Sequence, residues 1–137
     1  SRKEFWRILY KLNKDGMTIM VSTPYMDEAE LCSKVAFISQ GRIRKVDSPL
    51  HLKHEFSHLI LEVRANTKNP NLFDGVGGIL ESSFYGDKFH LVVDDAAQAE
   101  NSITMLLNQQ KVDIHSIKQI TPTMEDLFVA FADREVV

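Results

Sequence analysis

Ser22, Thr23 and Tyr25 bring three hydroxyls, and Asp27, Glu28 and Glu30 three carboxylates, into one short span around Pro24. Carboxylates in pairs can serve as general acid and base, and a serine or threonine beside a base can serve as a nucleophile. Here no histidine stands near Ser22 or Thr23 in sequence, and the three carboxylates beside Lys34 read as a solvated helix face that also complements the helix dipole. Cys32 likewise has no neighbouring histidine. A second group, His51, His54 and His58, is spaced i, i+3 and i+7, so one unbroken helix would align three imidazoles of the kind that bind zinc or nickel. The helical pattern stops before His58, and an exposed linker face without a metal is expected. Met17, Met20 and Met26 flank an apolar run and read as core rather than soft-metal ligands.

Those hydroxyls and carboxylates have to be held by elements around them. Residues 17–21 have the length and branched content of a strand buried on both faces, as in a parallel α/β sheet. Thr23 then suits a helix N-cap, and Pro24 the first turn, which has no use for its missing N–H. Strand into helix, with polar residues at the strand's carboxyl end, is where open α/β sheets place ligands. Before it, residues 2–12 repeat apolar side chains at 5, 8, 9 and 12, one face of a helix that Gly16 closes. After it, residues 35–39 and 42–46 read as a hairpin turning at Gln40-Gly41, and residues 50–56 as a short amphipathic helix.

Beyond His58 the pattern changes. Strands are expected at 58–65, 79–85, 88–93 and 113–120, a brief helical segment at 71–76, and a longer helix at 96–109 with Ala99, Ile103, Leu106 and Leu107 at helical spacing. Thr121 and Pro122 should open a last helix running to about Ala132. The order β-α-β-β-α-β with an added helix is that of a ferredoxin-like sandwich.

Composition bounds the partners. The 137 residues carry a net charge of -3 from 16 basic and 19 acidic side chains, so no global basic field invites nucleic acid. A single cysteine forms no internal disulfide and fits a reducing compartment. No apolar run approaches the ~20 residues that cross a bilayer.

Val21-Ser22-Thr23-Pro24-Tyr25-Met26-Asp27-Glu28-Ala29-Glu30 resembles the switch-loop segment of ABC transporter ATPases, in which a strand runs into Ser/Thr-Thr-His and then an acidic helix. Val35-Ala36-Phe37-Ile38-Ser39-Gln40-Gly41-Arg42-Ile43 is similar to that family's next strand and hairpin. Ile120-Thr121-Pro122-Thr123-Met124-Glu125-Asp126-Leu127-Phe128-Val129 resembles the Pro-Thr-Leu-Glu-Asp-Val-Phe ending of drug and antibiotic-resistance exporters. The departure is Pro24, which stands where the family has its switch histidine.

The resemblance implies α/β plus α+β architecture. Residues 1–57 would be the end of a P-loop ATPase α/β subdomain and residues 58–137 an accessory ferredoxin-like βαββαβ domain. It further implies an intact parent that uses ATP and Mg, pairs with a second ATPase subunit and drives a transmembrane permease from the cytoplasmic face of the membrane. No Gly-x-x-x-x-Gly-Lys-Ser/Thr phosphate loop is present, so the chain alone is expected to bind no nucleotide and to be inactive. By the same resemblance the candidate site residues are Pro24, at the catalytic histidine's position, and Thr23, as a nucleotide contact. The rival expectation is a free-standing α+β interaction or regulatory module that binds no nucleotide.

Overall fold

The computed structural model describes residues 1–133 and contains mixed α/β structure with two antiparallel sheets. Helix α1 (Arg2–Lys14) starts at Ser1, whose hydroxyl accepts from the Glu4 N–H. It ends with Lys11 and Lys14 at the negative end of its dipole. Gly16, at φ +102°, takes the backbone out of the helix in a conformation that L side chains rarely adopt. The apolar face read from the sequence is not the face that docks. Phe5, Ile8 and Leu12 are exposed, whereas Arg2, Trp6 and Tyr10, spaced i, i+4 and i+8, turn toward the segment at 25–31.

Residues 17–21 form no strand, and Met20 is 97 % exposed. A buried-strand sequence needs neighbouring strands to satisfy its backbone and cover its faces. Among the described residues none pairs with it.

Helix α2 (Met26–Ala29) begins later than the sequence implied. Thr23 does not cap it; the Thr23 hydroxyl accepts from the Tyr25 N–H at 3.0 Å, a local turn that keeps Pro24 outside the helix. Strands β1 (Val35–Ser39) and β2 (Arg42–Asp47) pair as expected. Their two-residue connection has Gln40 at φ 52° and Gly41 at φ 73°, the two positive values that match a hairpin's twist. Helix α3 (Pro49–Glu55) is capped by the Ser48 hydroxyl and starts on a proline.

The larger sheet comprises β3 (Leu59–Ala65), β4 (Ile79–Phe84), β5 (Phe89–Val93) and β6 (Ile114–Ile120). Its order is β4-β5-β3-β6, antiparallel throughout. One face packs on α4 (Ala96–Gln109): Leu61, Val63, Phe89, Leu91 and Val93 meet Ala99, Ile103 and Leu107. The helix expected at 71–76 is instead a run of turns. Gly75 and Gly78 adopt positive φ there, and Phe73 is buried in the core, edge-on to Phe89 at 4.8 Å, with Leu72 packed at its margin.

The last helix, α5 (Met124–Asp133), starts two residues after Pro122. Thr123, not Thr121, caps it: the Thr123 hydroxyl accepts from the Asp126 N–H, and the Asp126 carboxylate accepts from the Thr123 N–H, a reciprocal capping box. Met124 and Leu127 complete a second core with Ala29, Phe37 and Leu52, and Phe37 lies against Phe128 and Phe131. The chain's final helix is therefore built into its first half.

Candidate functional site

Around Pro24 the structure assembles a polar cluster from α1, the 22–25 turn and α2. The Arg2 guanidinium donates from Nε to Glu28 at 2.7 Å and from Nη2 to both Asp27 oxygens at 3.0 and 3.1 Å. It also stacks over the Tyr25 ring, 4.6 Å from its centroid. Arg2 first, then the Thr23 hydroxyl, hold the Glu28 carboxyl below the usual carboxylate range, with the Trp6 indole adding a further donor. Thr23 thus has its hydroxyl engaged twice, by the Tyr25 N–H and by Glu28. Pro24 is exposed at the outer bend of this turn. The arrangement positions a loop: the one carboxylate that meets the Thr23 hydroxyl, Glu28, is held ionised by Arg2 and is a weak base. The Cys32 thiol donates to the Glu28 carbonyl, and burial, then Glu28, push its pKa up, away from thiolate chemistry.

The three histidines do not converge. α3 ends at Glu55, Phe56 is extended, and His58 leaves the helix axis to pair with Asp94. His51 instead meets Asp47 at 2.6 Å and Glu55 at 3.8 Å, and Lys45 takes Glu55 at 3.3 Å. Asp47, His51 and Glu55 place one ligand atom each within 4.8 Å of one another, but ion pairing among them and with Lys45 accounts for the cluster. The His51 imidazole is raised above its ordinary value by the Asp47 hydrogen bond. Asp47→Asn is expected to return it toward the ordinary imidazole range, read by proton NMR across a pH series; an unchanged midpoint would mean the pair does not persist in solution.

A third constellation escaped the sequence reading. His90 on β5 lies on the sheet face away from α4, with its Nδ1 at 2.8 Å from Asp126 of α5 and its Nε2 at 3.2 Å from Glu62 of β3. The His90 and Asp126 side chains are only 5 % and 3 % exposed. Burial opposes the charge on His90, yet the two carboxylates outweigh it and raise the imidazole pKa. Burial likewise opposes the charge on Asp126 and Glu62; His90 and, respectively, the Thr123 N–H and Lys88 with Arg64 prevail and lower both. The Tyr85 hydroxyl reaches Asp126 at 3.5 Å, and burial, then that carboxylate, raise its pKa. The signal available in sequence was Val92: it shares the parity of His90, so an apolar residue there means that the second face of β5 is covered too.

The family model of the ATP-binding protein DrrA1-3-like C-terminal domain matches residues 48–132. The daunorubicin resistance ATP-binding protein DrrA2 of Streptomyces coeruleorubidus is 26% identical over 136 residues, 94% of this chain and 42% of that protein. The fluoroquinolones export ATP-binding protein MT2762 of Mycobacterium tuberculosis is 32% identical over 130 residues, 94% of this chain and 38% of its own length. The mouse glucosylceramide transporter ABCA12 is 42% identical over 76 residues, 53% of this chain and 3% of that protein. The chain spans less than half the length of each of these relatives.

Proposed function

The chain belongs to the ATP-binding protein DrrA1-3-like C-terminal domain family, and from that premise we propose that it serves an ABC transporter ATP-binding subunit of the drug-exporter type. The match over residues 48–132 is the observation that carries this reading. In the proposal residues 1–57 form the end of the P-loop ATPase subdomain and residues 58–137 the accessory domain. The strand order β4-β5-β3-β6, with α4 between β5 and β6, supports a ferredoxin-like βαββαβ domain whose first helix is reduced to turns. The exposed apolar run at 17–21 is what a central sheet strand would look like without its neighbours.

The intact subunit would bind ATP and Mg, pair with a second ATPase subunit and couple hydrolysis to a transmembrane permease. Among the described residues no helix is long and apolar enough to cross a membrane. This chain's own contribution near the nucleotide is the loop at 22–25. There Arg2, Glu28 and Tyr25 fix its shape, while Pro24 offers neither a side-chain donor nor a backbone N–H to a phosphate.

Two outcomes are expected. Calorimetry of the 137-residue chain with Mg-ATP should detect no tight binding, because backbone cradling of phosphates supplies most of that affinity. A submicromolar dissociation constant would overturn the assignment of nucleotide binding to residues outside this chain. In the full-length subunit, Pro24→His should raise turnover by about ten- to a hundredfold, the scale of one polar contact to developing charge. A subunit with ordinary turnover that gains nothing from the substitution would remove Pro24 from the switch position.

A further inference from the structure

Helix α5 has two sides with different attachments. Met124 and Leu127 pack on Ala29 of α2, on Leu52 of α3 and on Phe37 of β1, with Met26 and Phe128 at the margin. Asp126 points the other way, into the four-stranded sheet, where His90 holds it. The α2 segment is thus joined to that sheet through α5, with α3 alongside, where Lys53 pairs with Glu30 at 2.7 Å, and α5 is tied to the sheet by the buried His90 imidazole, with the Tyr85 hydroxyl at 3.5 Å from the same carboxylate.

We propose that α5 is a strut by which the four-stranded sheet holds α2, and with it Thr23 and Pro24, in place, and that His90 is the positioning residue that latches this strut. The significance of Thr23 and Pro24 rests on the reading of the 22–25 loop given above; the strut itself stands on the packing alone. The latch is chemical as well as steric. Two carboxylates on separate elements, Asp126 on α5 and Glu62 on β3, face the two nitrogens of one ring, and only the protonated imidazolium has an N–H for each. Loss of one proton to solvent takes the imidazole's N–H from either the helix's or the strand's carboxylate and leaves the weaker contacts of Tyr85 or Arg64 there.

The surroundings restrict what else can titrate there. Tyr85 faces Asp126 from the turn after β4, with Glu125 of α5 nearby. Lys88 lies 3.8 Å and Arg64 3.4 Å from Glu62, and Lys118 of β6 is its register partner. The cations keep Glu62 ionised, and Tyr85 stays protonated because burial, then Asp126, raise its pKa. His90 is the group of this set that changes charge, above the ordinary imidazole value because the two carboxylates outweigh burial.

The test uses the 137-residue chain without nucleotide, so its failure is independent of any ATPase result. Residue-resolved amide exchange is compared between the parent sequence and Asp126→Asn, which keeps an oxygen to accept the Thr123 N–H but removes the charge. Protection at 26–32 and 49–55 is expected to fall by about tenfold or more, while Leu61, Leu91, Ile103 and Leu107 keep theirs, as local rather than global opening requires. In the unsubstituted chain the same segments should lose protection as pH rises, in step with the His90 imidazole titration followed by NMR. Unchanged protection at 26–32 in the variant, or an equal loss across the α4 core, would overturn the strut. Should Asp126→Asn fail to fold, the pH series decides alone: protection at 26–32 that ignores the His90 midpoint removes the latch.

Discussion

Replacing His90 with leucine is expected to destabilise the folded chain by about 3 to 5 kcal/mol, the cost of removing one partner from a buried ion pair. The substitution roughly keeps volume and puts an apolar side chain where the imidazolium was, so the loss comes from Asp126 and Glu62, left facing each other's charge without the cation between them. Urea unfolding measures it, and the pH dependence identifies the cause. The His90 pKa is raised in the folded state, so its stabilisation is complete below the ordinary value of 6.5 and is lost as pH rises through the folded value. The Asp126 and Glu62 pKa values are lowered, so theirs is present above the ordinary 3.8 and 4.5 and is lost as pH falls through the depressed values. The unsubstituted chain should therefore be most stable between those limits, and His90→Leu should remove the larger part of the decline on the alkaline side, leaving the smaller, solvent-screened share of the raised and exposed His51. A variant that keeps that decline would place the titrating group elsewhere.

Phe73→Ala is the second large effect, expected at about 3 to 5 kcal/mol for emptying a fully buried aromatic site. Phe73 is 1 % exposed although it comes from a run of turns, and it contacts Phe89 edge to face with Phe84 on the other side of that ring. A loop without regular hydrogen bonding has little else to hold it against the sheet, so the local consequence should exceed the global one. Proteolysis in the 66–78 segment should accelerate even under conditions where the sheet persists. Stability within about 1 kcal/mol of the parent would mean that the loop collapses to fill the space.

What the sequence disclosed and what it hid follow from the range of the forces involved. The hairpin at Gln40-Gly41, the helix at 96–109 and the four strands of the larger sheet were legible because their signals are local: turn residues, caps and one-face periodicity. Residues 17–21 carried an equally clear strand signal and form no strand, since pairing depends on a neighbour that the pattern cannot specify. The α1 stripe misled for a related reason. Apolar spacing says which face is greasy, but Arg2 and Trp6 found partners on α2, and Tyr10 the Leu31 carbonyl just beyond it, that hydrophobicity does not register. Thr23 and Pro24 carried the local signals of a helix cap and first turn, but the helix starts later because the Thr23 hydroxyl had a nearer N–H to accept from. The His90 cluster draws on three elements far apart in sequence, and no single window contained it.

The second core has a consequence for the order in which the chain acquires structure during synthesis. Phe37 and Leu52 emerge before the four-stranded sheet, but Met124, Leu127 and Phe128 emerge after it, so the aromatic contacts of β1 have to wait until that whole sheet has been made. At the roughly 5 to 20 residues per second of translation, that interval lasts on the order of seconds, far longer than helices and hairpins need to form. The sheet and α4 close on one another in the meantime, and the early half waits with its apolar side uncovered. A ribosome that stalls before Met124 would release a chain with one finished core and one that has no means of closing.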